Sequence, residues 1–159
     1  MKGSNVEQIQ GMLSAAGRRV ALVAGRFNDL IVSRLIDGAT DCFQRHNGDE
    51  KSLTLVRVPG SLEIPLIAGR LAAAGKYDAI VCLGAVIRGD TPHFDYVAAE
   101  ASKGIASESL RTGIPIIFGV LTCDTLEQAL ERAGVKGGNK GWDAMLAALE
   151  MADLMPRLG

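Results

Sequence analysis

A chain of 159 residues, 48% apolar and 22% charged, has the size and composition of one folded domain with its own core. Its 17 Lys and Arg against 18 Asp and Glu leave a formal charge of −1, and aromatic residues make up only 4%. These values exclude a nucleic-acid backbone as main partner and a platform that stacks many bases, while weak net repulsion permits self-association.

Residues 1–17 are polar, contain Gly and Ser, and read as an N-terminal arm ahead of a single domain over 18–159. The start, Met1-Lys2-Gly3-Ser4-Asn5-Val6-Glu7-Gln8, lacks the apolar core of a signal peptide. The longest apolar run, 79–87, is too short to span a bilayer as a helix, so no membrane partner is expected. Strand-like runs occur at 20–23, 53–58, 79–83 and 114–120. Three are almost unbroken apolar, as in strands covered on both faces of a parallel sheet; the second alternates partly and is predicted at an edge. Between them lie helical stripes: Ile31, Leu35, Ala39, Cys42 and Phe43; a helix over 62–74 with Pro65 in its first turn; and Phe94, Val97, Ala98, Ala101 and Ile105. Two helices close the chain, one opening on a capping box at Thr125-Leu126-Glu127-Gln128, the last burying Trp142, Met145, Leu146 and Leu149. The alternation predicts a flavodoxin-like three-layer α/β/α sandwich on a four-stranded parallel sheet. Cys42, Cys82 and Cys123 form no C-x-x-C pair, which fits reduced thiols in a cytoplasmic protein rather than disulfides or zinc.

Ligands of open α/β sheets bind beyond the carboxyl ends of the strands. The first strand here leads into Gly25-Arg26-Phe27-Asn28 and the second into Pro59-Gly60-Ser61-Leu62-Glu63. The third leads into the stretch from Gly84 to His93, and the fourth into Leu121-Thr122-Cys123-Asp124. His93 stands out. Thr91 precedes a proline and suits an N-cap, Pro92 suits the first helical position, and His93 then falls in the first turn. A helix N-terminus favours the neutral imidazole, ready to relay protons, and its free amides favour a phosphate. The same pattern also suits a surface histidine. Phe27 either plugs a gap or stacks on a planar ring. Glu63 either serves the helix dipole or accepts hydroxyl hydrogen bonds, Arg132 either ends a helix or grips a phosphate, and His46 reads as a helix-end dipole partner. Lys136-Gly137-Gly138-Asn139-Lys140-Gly141 lacks the spacing of a phosphate loop, no dinucleotide or serine-hydrolase motif occurs, and two separated histidines make no metal site.

In order along the chain, Gly25-Arg26-Phe27-Asn28, Val58-Pro59-Gly60-Ser61-Leu62-Glu63-Ile64-Pro65 and the stretch from Gly84 through His93 to Val97 resemble the lumazine synthase family. So do Phe118-Gly119-Val120-Leu121-Thr122, Glu131-Arg132-Ala133-Gly134 and Lys136-Gly137-Gly138-Asn139-Lys140-Gly141. The resemblance implies condensation of 5-amino-6-(D-ribitylamino)uracil with 3,4-dihydroxy-2-butanone 4-phosphate to 6,7-dimethyl-8-ribityllumazine, phosphate and water, without metal or organic cofactor. It implies that Phe27 stacks on the pyrimidine, that Ser61, Leu62 and Glu63 line the ribityl chain, and that Ala85, Val86 and Ile87 present backbone groups to the ring. Asp90 through its amide, Thr91 and Arg132 would hold the phosphate, and His93 would donate and accept protons. Phe118 and Arg132 would reach the site from a neighbouring subunit of a pentamer, with a sixty-subunit icosahedral shell and riboflavin synthase as further expected associations. Family members often carry an aromatic where this chain has Leu62. Two other readings stay open: an archaeal-type riboflavin synthase, which uses two lumazines, and a non-catalytic flavin-binding or shell-forming relative. The acidic pair of a phosphoacceptor domain is missing after the first strand.

Overall fold

The computed structural model describes residues 5–89, 92–134 and 138–159. In chain order its elements are β1 (Val20–Gly25), α1 (Asp29–Arg45), β2 (Leu53–Val58), α2 (Ile64–Ala73), β3 (Ala79–Ile87), α3 (His93–Thr112), β4 (Ile116–Cys123), α4 (Leu126–Arg132) and α5 (Lys140–Arg157), with 3-10 turns at Glu50–Ser52 and Ser61–Glu63. The strands pair in parallel in the order β2-β1-β3-β4. Side chains alternate across this sheet, as its period of two dictates. Val20, Leu22, Val81 and Leu83 join a core with α1, α4 and α5, while Ala21, Val23, Ile80 and Cys82 join another with α2 and α3. The result is the expected three-layer α/β fold, with the partly alternating β2 at an edge.

Helix packing follows the apolar stripes. Ile31, Leu35, Ala39, Cys42 and Phe43 of α1 are all fully buried, and each large one contributes about 1.5–3 kcal/mol by leaving water. Helix α5 lies so close to α1 that a Cβ at Gly141 would fall 2.0 Å from the Leu35 carbonyl oxygen. His46 caps α1 as anticipated, with Nδ1 2.6 Å from the Cys42 carbonyl and its ring edge-on to Trp142. All three thiols are free and buried; burial pushes Cys42 up to about 12 and Cys82 further still, so neither is a reactive thiolate.

Several boundaries differ from the sequence reading for reasons of pairing. β1 runs on to Gly25 and β3 to Ile87 because their partners continue beside them, so Gly84 to Ile87 lie in a strand rather than a turn. β4 starts at Ile116 because Pro115 has no N–H; its carbonyl alone joins the ladder, accepting from the Ile80 amide at 2.9 Å. The helix anticipated over 62–74 starts at Ile64, with Pro65 in its opening positions and a 3-10 turn ahead of it. Thr125 caps α4 by accepting the Gln128 amide at 3.1 Å, but Gln128 Oε1 accepts the Asp124 amide, one residue before the position a capping box prescribes. Thr91, the expected cap of α3, lies outside the described residues.

Residues 5–15 form neither helix nor strand and run along α5. Asp153 holds them there. Its carboxylate accepts the Met12 amide at 2.8 Å and pairs with Arg18 and Arg157 at 3.0 and 2.8 Å. Led by the Met12 bond, these donors draw the Asp153 carboxyl down from 3.8 to about 2. A folded-state value below the unfolded one adds stability that is present above about pH 4 and lost as the pH falls through the folded value. Asp153→Asn is therefore expected to lower the melting temperature at pH 7, with the gap to the parent chain closing between about pH 4 and pH 2. A gap independent of pH in thermal unfolding would contradict this role.

Candidate active site

Beyond the carboxyl ends of the strands lies a cleft of about 470 Å³. It opens where the chain leaves β1 toward α1 on one face and β3 toward α3 on the other, the crevice this strand order creates. Phe27 and Asn28 contribute from the first loop, Ser61, Leu62 and Glu63 from the 3-10 turn after β2, and Ala85, Val86 and Ile87 from the end of β3. Pro59, Gly60, Gly89, His93, Phe94 and Val97 complete the lining. An apolar floor with a few convergent polar groups is the usual form of a small-molecule site.

Each wall is tied to the sheet. The Arg26 amide donates to the Val58 carbonyl at 2.8 Å and the Phe27 amide to that of Pro59 at 3.1 Å. Asn28 adopts left-handed backbone, φ 61 and ψ 45, and its Nδ2 donates to the Ala85 carbonyl at 2.8 Å. These bonds leave Phe27 74% exposed at the cleft. Behind the loop, Arg57 pairs with Asp29, and this hydrogen bond holds the Asp29 carboxyl below its ordinary range. Ser61 is buried, 8% exposed, and fits against β3 because residue 84 is glycine: a Cβ there would stand 2.7 Å from Ser61 Oγ. Leu62 and Glu63 are exposed on the same turn.

His93 is the first residue of α3 and exposed on the cleft, as its sequence position predicted. Asp90 and Thr91 lie outside the described residues. Phe118 and Arg132 do not line this cleft. Phe118 is half-buried on β4, and Arg132 ends α4 with Nη1 3.2 Å from Cys123 Sγ. Residues 136 and 137 also lie outside the described residues, but Asn139 has a structural role, accepting the Trp142 amide and donating to the Arg34 and Ala133 carbonyls.

Sequence reasoning missed Asn28 as a hook; its signal was an Asn, a residue tolerant of positive φ, placed just before a helix. Arg88 escaped as well. That guanidinium lies 4.5 Å from the Phe94 ring centroid and donates to Asp124 Oδ1 at 2.8 Å. Among the described residues, no cluster of three or more His, Cys, Asp or Glu could hold a metal ion, and no helix is long and apolar enough to cross a membrane.

Residues 17–156 match the family model of 6,7-dimethyl-8-ribityllumazine synthase. Proteins bearing that name resemble the chain over nearly its whole length. One from Chlorobium chlorochromatii is 57% identical across 94% of this chain and 97% of its own. Another from Chlorobium luteolum is 58% identical across 94% and 96%, and one from Chloroherpeton thalassium 54% identical across 97% and 99%.

The left-handed backbone at Asn28 separates two losses. Asn28→Gly removes only the side-chain bond, about 0.5–1.5 kcal/mol, whereas Asn28→Ala adds a left-handed penalty of about 1–2 kcal/mol. Urea unfolding should rank parent above Gly above Ala; an Ala variant as stable as the Gly variant would contradict the geometry.

Proposed function

The chain belongs to the 6,7-dimethyl-8-ribityllumazine synthase family, and we propose that its strand-end cleft condenses 5-amino-6-(D-ribitylamino)uracil with 3,4-dihydroxy-2-butanone 4-phosphate. The observation that carries this reading is the meeting, in one cleft, of Phe27, the turn Ser61–Glu63, the end of β3 and His93. The pyrimidine stacks on the Phe27 ring and meets the backbone of residues 85–87, where Asn28 already engages the Ala85 carbonyl. Glu63 accepts ribityl hydroxyls, with Ser61 and Leu62 along the chain. Asp90 through its amide and Thr91 hold the phosphate ahead of α3, joined by Arg132.

The 5-amino group attacks the ketone and water leaves to form an imine. Phosphate is then eliminated, and the ribitylamine nitrogen closes the ring with loss of a second water. His93 supplies and removes protons along this path. No step requires a metal or an organic cofactor. Holding both substrates together contributes up to about 7–11 kcal/mol, and one acid–base group about 10²–10⁴-fold.

Phe118 and Arg132 serve the cleft of an adjacent copy in this reading, which makes the working unit a pentamer, further assembled into a sixty-subunit icosahedral shell. Their position on β4 and α4, apart from the cleft of their own chain, supports this arrangement, as do the exposed apolar side chains Leu62, Leu66 and Tyr96. We place the protein in the cytoplasm, with riboflavin synthase as the partner that consumes the product.

His93→Ala should slow turnover by about 10²–10⁴-fold, and Arg132→Ala should raise KM for the butanone phosphate more than for the pyrimidine. If sites are shared, co-refolding equal amounts of the two impaired variants, assayed with butanone phosphate well below the KM of Arg132→Ala, restores activity at about a quarter of the sites, where a chain with intact His93 sits beside one with intact Arg132. Absence of recovery would mean that each chain builds its site alone.

A further inference from the structure

We propose that Arg88 is a positioning residue for His93, bolting the first turn of α3 to the end of β4. This role rests on the proposed function in one respect, that His93 moves the protons. Helix α3 has 20 residues, yet its fully buried ones are Ala101 and Ile105, well inside the helix. Phe94 and Val97 are only half-buried and His93 is exposed. Core packing through the half-buried Phe94 and Val97 therefore holds this turn only in part, and ahead of it a Cβ built on Gly89 would meet none of the described residues within 4 Å.

Arg88 supplies an anchor. Its amide donates to the Cys123 carbonyl at 2.9 Å, extending the β3–β4 ladder past Ile87. From that fixed base its guanidinium turns to three groups. Nε donates to Asp124 Oδ1 at 2.8 Å, Nη2 lies 3.6 Å from Asp95 Oδ1, and Cζ sits 4.5 Å from the centroid of the Phe94 ring. Asp124 comes directly after β4, whereas Phe94 and Asp95 come directly after His93 in the first turn of α3. One planar cation thus joins the sheet end to the residues next to the imidazole. Lysine would keep the charge but neither the flat stack nor the fork of donors. Arg88 itself does not line the cleft, so its effect reaches the reaction through where His93 points.

Arg88→Met, which keeps the apolar stem, tests this with two readouts. Amides of residues 95–99, the first that bond within this turn, should exchange with deuterium at least about tenfold faster, while those of 105–112 keep their parent rates. In turnover, kcat should fall by about 10–100-fold with KM for the pyrimidine changed by less than about threefold, since the Phe27 loop and the β3 backbone at 85–87 stay held by the sheet without the Arg88 side chain. Asp124→Asn should give the same pattern at smaller amplitude, and Arg88→Lys should recover only part of kcat. In a His93→Ala background, Arg88→Met should cost less than about threefold, because the residue it positions is gone. Unchanged exchange at 95–99, or an equal loss of kcat with and without His93, would overturn the role. A parent chain that exchanges as expected but forms no lumazine would overturn the assignment of His93 instead, and with it the catalytic consequence.

Discussion

The parallel pairing of β1 with β3, Val20 beside Ala79 through Ala24 beside Leu83, is the constraint on which the rest of this molecule depends. Both strands are buried on both faces, so each must be apolar at nearly every position, and neither can carry a polar side chain until it ends. Functional groups are thereby displaced to the strand ends. Because β2 lies beyond β1 and β4 beyond β3, the chain departs to opposite faces from the two central strands and leaves a crevice between them. That crevice is the cleft.

Its walls are positioned by main-chain and side-chain bonds that need no ligand. Arg26 and Phe27 bond to the end of β2, Asn28 to β3, and Arg88 to β4. Each loop is thus tied to the strand next to the one it leaves, which transfers the rigidity of the sheet to its rim and prepares the geometry before substrate enters. Gly84 has a parallel role within β3, where the missing Cβ admits Ser61 to the cleft's inner wall. The polar groups left pointing at the cleft, Glu63 and His93, stand above an apolar floor that includes Val86, Ile87 and Val97. Such a floor suits a flat heterocycle, and the polar rim suits its hydroxylated chain and the proton transfers.

Much of this was legible in the sequence because it depends on local pattern. Unbroken apolar runs marked β1 and β3, partial alternation put β2 at an edge, and the stripe from Ile31 to Phe43 marked the buried face of α1. The Thr-Pro-His order also put His93 at the start of α3. What escaped depends on partners distant in the chain. The extension of β3 to Ile87 reflects Cys123 beside it, and the late start of β4 reflects the missing amide of Pro115. The Asn28 hook needs Ala85, and the Arg88 clamp needs Asp124, neither of which local periodicity can indicate. Composition and periodicity led to a polar rim and no further; the reaction came from motifs whose order matches one family. Phe118 and Arg132, whose places are set by β4 and α4, lie apart from the cleft of their own chain.

The central claim is that one cleft joins two substrates, with loss of phosphate, using protein side chains and no metal or organic cofactor. Incubating the metal-free protein with 5-amino-6-(D-ribitylamino)uracil and 3,4-dihydroxy-2-butanone 4-phosphate, and following lumazine absorbance together with released phosphate, tests it directly. Lumazine and phosphate should appear in equal amounts, well above the rate without protein. Phosphate release without lumazine, or no acceleration of either, would contradict the claim.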